Sequence, residues 1–398
     1  LSFIGKEYSL QLQELAQLCH CLMQRRRIAA RGLRRYAICG HCTMGYKGAV
    51  LRQCGSAKLK SLSVEGNSLV RALLLGLLWM PLAAGAQFGA AQLRLLADPL
   101  YVAGLMPAER IASSMAADGG ITDGRVGPGR AYTQRQGYEV LLAGLGRRDE
   151  RVIALGVRAL AYPFERGSFG RDPYDYTASF AGAWARAVLL LRAAERPEAS
   201  TLAAFAPRVR AWADAATTQR DRARVLARFD KAGPERALTN QLLWGALEFN
   251  ALADVLEDPA LRAHANELER RALSWQRADG SFPEKGGTDT SYQAVSLRKL
   301  AWLQLGYGTT PERGAALQRG MQWMLPRVGD DCRVDVRGNT RTAGGGEVAP
   351  SGRLKGGYHA HPELLVLWSH AGGGEAARAQ AEALGQACAR VARTKAGG

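Results

Sequence analysis

GSFPEKGGTDTSYQAVSLRKLAWLQLG, residues 280–306, joins a Gly/Pro-rich loop to a run with helical spacing. Asp289, followed by Thr290 and Ser291, is placed to cap the helix, satisfying its first N–H groups and its positive dipole end. From Ser291 onward the apolar residues recur at i, i+3 and i+4, the signature of a buried helix face. The same spacing appears over 137–146, 151–164, 177–194, 202–216, 238–256, 261–275, 314–325, 361–370 and 374–393. Strand-like alternation is nearly absent, CRVDVRGN (332–339) being its best short example. The expected class is therefore all-α.

The helices are of two kinds. Those at 177–194 and 238–256 are apolar or small on most faces, which suits an inner layer. The one at 261–275 has a charged face, which suits an outer layer. Some ten to twelve helices in successive hairpins and two layers predict an α/α toroid, a complete or incomplete barrel. A helical superhelix of repeats is the alternative. A loose echo supports the toroid. GSFGRDPYDYTASFAGAW (167–184) lies over GSFPEKGGTDTSYQAVSL (280–297), each with Gly-Ser-Phe, a turn, an Asp (Asp175, Asp289) and a helix. GRLKGGYHAHPELLVLW (352–368) is a third such loop, and 124–142 resembles a fourth. In a toroid, Gly-rich loops at helix starts gather at one rim.

The chain has 398 residues and a formal charge of +17. Much of that charge sits in residues 1–63, which hold eleven Lys/Arg against Glu7 and Glu14, and five of the seven cysteines. LVRALLLGLLWMPLAAGAQ (69–87) follows, with Arg71, an apolar stretch from Ala72 to Leu82, and Ala84-Gly85-Ala86 before Gln87. That order is the pattern of a secretory signal with cleavage after Ala86. It divides the chain into 1–63, an upstream segment outside the native protein or disordered; 64–86, the signal; and 87–398, one toroid domain. The expected location is periplasmic or secreted, with membrane contact only through the signal. CGHC (39–42) matches a redox motif, but no strand precedes it, so the required βαβ context is missing.

Residues 87–398 hold a moderate excess of eight positive charges, spread along the chain. That balance favours an acidic ligand and lacks the aromatic-basic interleaving of a single-strand nucleic-acid binder. Cys332 and Cys388 either pair or stay apart.

Candidate site residues fall on the loops. Glu284, Tyr292 and Gln293 accompany Asp289; Arg171, Tyr174 and Tyr176 accompany Asp175. Capping requires none of these. The Phe of each Gly-Ser-Phe triplet reads as a plug beneath its loop. Trp275 is either a sugar platform or a filler at a helix junction. In GGYHAH (356–361), His359 and His361 stand beside Tyr358 and Lys355. Histidine near its ordinary pKa suits general acid or base work. A third metal ligand at recognisable spacing is missing, so no metal or other cofactor is expected. His264 reads as structural. Asn240, with Gln241, opens an apolar helix and either supports its start or faces a cavity. GDDCRVD (329–335) reads as a solvated turn.

QRADGSFPEKGGTDTSYQAVSLRKLAWL (276–303) resembles the helix-starting loops of α/α-toroid polysaccharide lyases of the chondroitin and alginate lyase type, and more weakly those of terpenoid-cyclase-like toroids. The lyase resemblance implies β-elimination in an acidic, uronate-containing polysaccharide. It implies Asn240 for carboxylate neutralisation, His359 or His361 as base, and Tyr292 or Tyr176 as acid or base. Asp289, Glu284, Asp175, Arg171, Tyr174, Gln293, Tyr358, Lys355 and Trp275 would contact substrate. An Asn-His pair adjacent in the chain, usual in such lyases, is missing. Two other functions stay open: a glycoside hydrolase on the same scaffold with paired carboxylates among Asp175, Glu284 and Asp289, and a non-catalytic glycan-binding or cell-envelope assembly protein.

Overall fold

The computed structural model describes residues 87–105, 111, 115–122, 130–172, 174–216, 238–284, 286–329, 334–340 and 362–396. The stretches assigned to the upstream segment and the signal lie outside these residues. So do Cys332, Lys355, Tyr358, His359 and His361.

The described chain is all-α. We number the helices α1 (87–96), α2 (Pro99–Gly104), α3 (Ala131–Gln134), α4 (Gly137–Arg147), α5 (Glu150–Glu165), α6 (Tyr174–Ala193), α7 (Glu198–Ala203) and α8 (Ala206–Ala216). They continue with α9 (Thr239–Leu256), α10 (Pro259–Ser274), α11 (Thr290–Tyr307), α12 (Pro311–Met324), α13 (Pro362–Trp368) and α14 (Gly374–Ala396). No strand occurs among the described residues. The 332–339 alternation leaves only an isolated bridge between Val328 and Val334. None of the described helices is long and apolar enough to cross a membrane.

Helix starts follow their capping residues. Asp149, Asp258, Asp289 and Thr310 each accept a hydrogen bond from a backbone N–H of the first turn, as oxygen-bearing N-caps do. The periodic stretch at 202–216 is broken: α7 ends at Ala203 and α8 begins at Ala206. Pro207 explains the break, since it has no N–H to donate to the carbonyl four residues back. Pro163, in contrast, lies inside α5. The carbonyl it leaves free, that of Ala159, accepts Gln134 Nε2 at 3.1 Å. Gln134 is fully buried and also bonds Gly119 O and Ile121 N, so one amide repairs the helix and secures the turn beside it.

The inner and outer distinction holds in burial. Residues 177–191 of α6 are all buried, and α9 is buried over most of its length. α10 buries Leu261, His264, Ala265, Leu268, Glu269 and Ala272 and exposes its other face. The packing pairs are α4 with α6, α6 with α9, α9 with α11, α11 with α13, α13 with α2, and α2 with α4. Five of the six also pack against a further helix: α5 on α4, α7 on α6, α10 on α9, α12 on α11 and α14 on α13.

α6 and α9 approach closely at Gly182. A Cβ there would fall 1.9 Å from Glu248 Oε2 and 2.3 Å from Glu248 Cβ. The obstruction includes the root of the side chain, so a rotamer change cannot relieve it. Gly182→Ala is expected to cost about 1–3 kcal/mol through overpacking, measurable as a lower urea midpoint at unchanged slope.

The Gly-Ser-Phe loops are plugged as expected. Phe282 is buried, and Phe169 packs against Phe164 and Phe180. Gln293 holds the second loop: its Oε1 accepts Phe282 N, and its Nε2 donates to Gly280 O and Gly320 O.

Candidate functional site

α6 carries one charged side chain within its buried stretch, Arg186, and α9 carries Glu248 opposite it. The missing side chain at Gly182 makes room for the carboxylate, and Arg186, one turn on, reaches it with two nitrogens of one guanidinium edge. Nε lies 3.2 Å from Oε2 and Nη2 lies 3.0 Å from Oε1. The pair is 5% and 1% exposed, so water contributes little to either charge. Burial alone would push Arg186 toward neutrality; the Glu248 charge more than offsets this and holds it above its ordinary range.

The other groups assemble around this pair. Trp244, one turn before Glu248, donates its indole N–H to Glu248 Oε1 at 2.6 Å. The Tyr138 ring of α4 lies 4.3 Å from the Arg186 guanidinium, and its hydroxyl accepts from Gln92 of α1. Burial raises the Tyr138 phenol. Lys299 of α11 sets its amine 4.6 Å from the Trp244 ring centroid, and Arg135 sits 4.6 Å from the same ring. Burial, and then the Arg186 charge, lower Lys299 from 10.5 to about 7. Next along α11, Arg298 pairs with Glu363 of α13 at 3.2 Å. Burial raises the Glu363 carboxyl, and Tyr101 of α2 is raised by burial and by Glu363. Each of α2, α4, α6, α9, α11 and α13 thus contributes a buried polar group.

The loop residues singled out in the sequence divide by position. Asn240 is buried on α9, with an Oδ1 that meets no hydrogen-bond donor among the described residues. It precedes Trp244 and Glu248 by one and two turns, so the three share a helix face. Tyr292 is half-buried on α11, two turns before Lys299. The 280–289 loop is tied to the start of α9: Leu238 bridges to Glu284, and Thr239 Oγ1 donates to Pro283 O at 2.9 Å. Asn240, Glu284, Asp289 and Tyr292 therefore belong to one neighbourhood. Glu284 and Asp289 are buried in it, and Asp289 caps α11 through Tyr292 N at 3.0 Å. Gln293 has its amide engaged by the loop. Tyr174 and Asp175 open α6, with Tyr176 and Arg171 exposed nearby. Trp275 is half-buried at the C-terminus of α10 and packs against the core.

Arg186, Glu248, Lys299, Trp244 and Arg135 were not among the sequence candidates. For Arg186 and Glu248 the signal was the isolated charge in an apolar helix, since Arg and Glu are almost never fully buried without a reason.

A separate cleft of about 850 Å³ opens between α10 and α12, near Arg262, Tyr307 and Arg313. Its charges are committed to the fold. Arg313 pairs with Glu269 at 2.5 Å, Arg262 with Asp254, Arg270 with Glu267, and Arg319 bonds Gln276. Among the described residues no group of three His, Cys, Asp or Glu is placed to hold a metal ion. No protein-family model, curated protein or solved structure matches the chain.

Proposed function

We propose that the chain is an α/α toroid whose inner helices build a site for an acidic, uronate-containing polysaccharide, which it cleaves by β-elimination. The toroid reading rests on the packing pairs, which run α4, α6, α9, α11, α13, α2 and back to α4, with α5, α7, α10, α12 and α14 each packed on one of them. The ligand reading rests on one observation: Lys299 and Arg135 both sit against the half-buried ring of Trp244, on the helix face that begins with Asn240. Two basic groups gathered over one indole ring favour a sugar that bears a carboxylate.

In the proposed reaction Asn240 and the cations neutralise the uronate carboxylate, which acidifies the C5 hydrogen. A base, Tyr292 or a histidine of the 352–361 loop, removes that proton. The released electron pair forms the C4=C5 bond, the C4–O bond breaks, and the departing oxygen takes a proton from a Tyr. A hydrolase would draw its paired carboxylates from Asp175, Glu284 and Asp289, of which Asp289 already serves as the cap of α11 through Tyr292 N. The 64–86 segment would direct the protein out of the cytoplasm.

Incubation of the protein with alginate, pectate and glycosaminoglycans, followed by ultraviolet absorbance of the new conjugated C=C bond, tests the reading. Absorbance should rise with one polymer class. Reducing ends without absorbance would indicate hydrolysis and overturn it. Asn240→Ala should lower kcat by about 100-fold, the scale for losing one preorganised donor, while the melting temperature changes little.

A further inference from the structure

Lys299 stands out among the charges of this cluster. It is 7% exposed, yet its amine makes no hydrogen bond or ion pair among the described residues, and it lies 4.6 Å from the Trp244 ring centroid. The two buried carboxylates nearby have other partners. Glu248 receives Arg186 and the Trp244 N–H, and Glu363 receives Arg298. A buried ammonium without a counter-ion is strongly disfavoured, and the group loses its proton instead. The site therefore holds an amine that becomes a stable cation once an anion arrives beside it.

We propose that Lys299 is a specificity-determining residue of this site, pairing the carboxylate of the bound sugar and taking up a proton from solvent as the ligand binds. The inference rests on the acidic-glycan reading above and adds to it the residue that discriminates acidic from neutral sugars. The charged groups around the amine fit this role. Arg186 from α6 and Arg298 from α11 itself disfavour the proton in the empty site, while Glu248 from α9, Glu139 from α4 and Glu363 from α13 favour it. From α12, Arg313 is engaged by Glu269, and after α13, His370 lies against Asp98. With the free amine titrating at about 7, uptake should be largest above that pH and fade below it. Affinity for acidic sugars should fall as pH rises beyond neutrality.

Calorimetry of the protein with oligouronates from alginate and pectate, in buffers of different ionisation enthalpy, measures the proton count. Uptake should approach one proton per ligand near pH 8 and fall toward zero near pH 6. Lys299→Met should lose this uptake and at least 10-fold in affinity, with a neutral cello-oligosaccharide bound weakly by both proteins. Lys299→Arg, permanently charged, should retain binding with no proton uptake. Oligouronate binding that Lys299→Met leaves unchanged, or that shows no proton linkage in the parent protein, would overturn the Lys299 assignment alone. No binding of any oligouronate would overturn both the assignment and the acidic-glycan reading beneath it.

Discussion

Replacing Arg186 by Met is expected to destabilise the protein by about 3–5 kcal/mol, because it strands the Glu248 carboxylate in a buried setting without its counter-charge. That is a large share of the roughly 5–15 kcal/mol that holds a typical domain together. Trp244 still donates to Glu248 Oε1 at 2.6 Å, but one neutral N–H does not replace a bidentate guanidinium. A companion variant separates charge from packing. Arg186→Met combined with Glu248→Leu removes both charges at similar volume, and should recover most of the loss, since buried pairs exchanged for apolar groups are often neutral in stability. Urea unfolding of the parent, the single and the double variant measures both differences. A single variant as stable as the parent would mean that Arg186 and Glu248 do not form a buried pair.

Lys299→Met is expected to act in the opposite direction, and in a pH-dependent way. In the unfolded chain the amine titrates near 10.4, and in the folded chain at about 7. Between those values the unfolded state binds the extra proton, so the parent protein gains stability as pH rises through that window. The burial penalty is fully present below about pH 7 and absent above about 10.5. Lys299→Met has no such penalty, so it should exceed the parent by on the order of 4 kcal/mol near neutrality, each tenfold change in proton affinity being worth about 1.4 kcal/mol. The advantage should shrink toward zero by about pH 10. Thermal or urea unfolding at pH 6, 8 and 10 measures it. An advantage constant across that range would show that the amine keeps its proton in the folded state.

These two predictions concern residues that the sequence did not reveal, and the reason is physical. The helices were legible from 3.6-residue periodicity, and the cap read at Asp289 is present; those at Asp149, Asp258 and Thr310 emerge only from the structure. The break between α7 and α8 was missed because both sides keep the same apolar spacing while Pro207 acts on the backbone. Within the candidate site, Asn240 and Tyr292 were visible as polar residues at helix starts beside Gly-rich loops. Arg186 and Glu248 were not. Each is one exception in a long apolar run, and periodicity treats an exception as noise. Only contact across 62 residues of chain makes them a pair. Lys299 was hidden by the adjacent Arg298, which made the dipeptide look like a solvated patch; the burial of Lys299 depends on which helices surround α11.

The Asn240, Trp244 and Lys299 face and the α10/α12 cleft offer two different places for a ligand. A crystal structure with an alginate- or pectate-derived oligouronate bound decides between them. The sugar should lie beside Trp244, with a carboxylate oxygen within about 3.5 Å of the Lys299 amine. A sugar seated instead in the cleft beside Arg262 and Arg313, with Trp244 untouched, would contradict the proposed site.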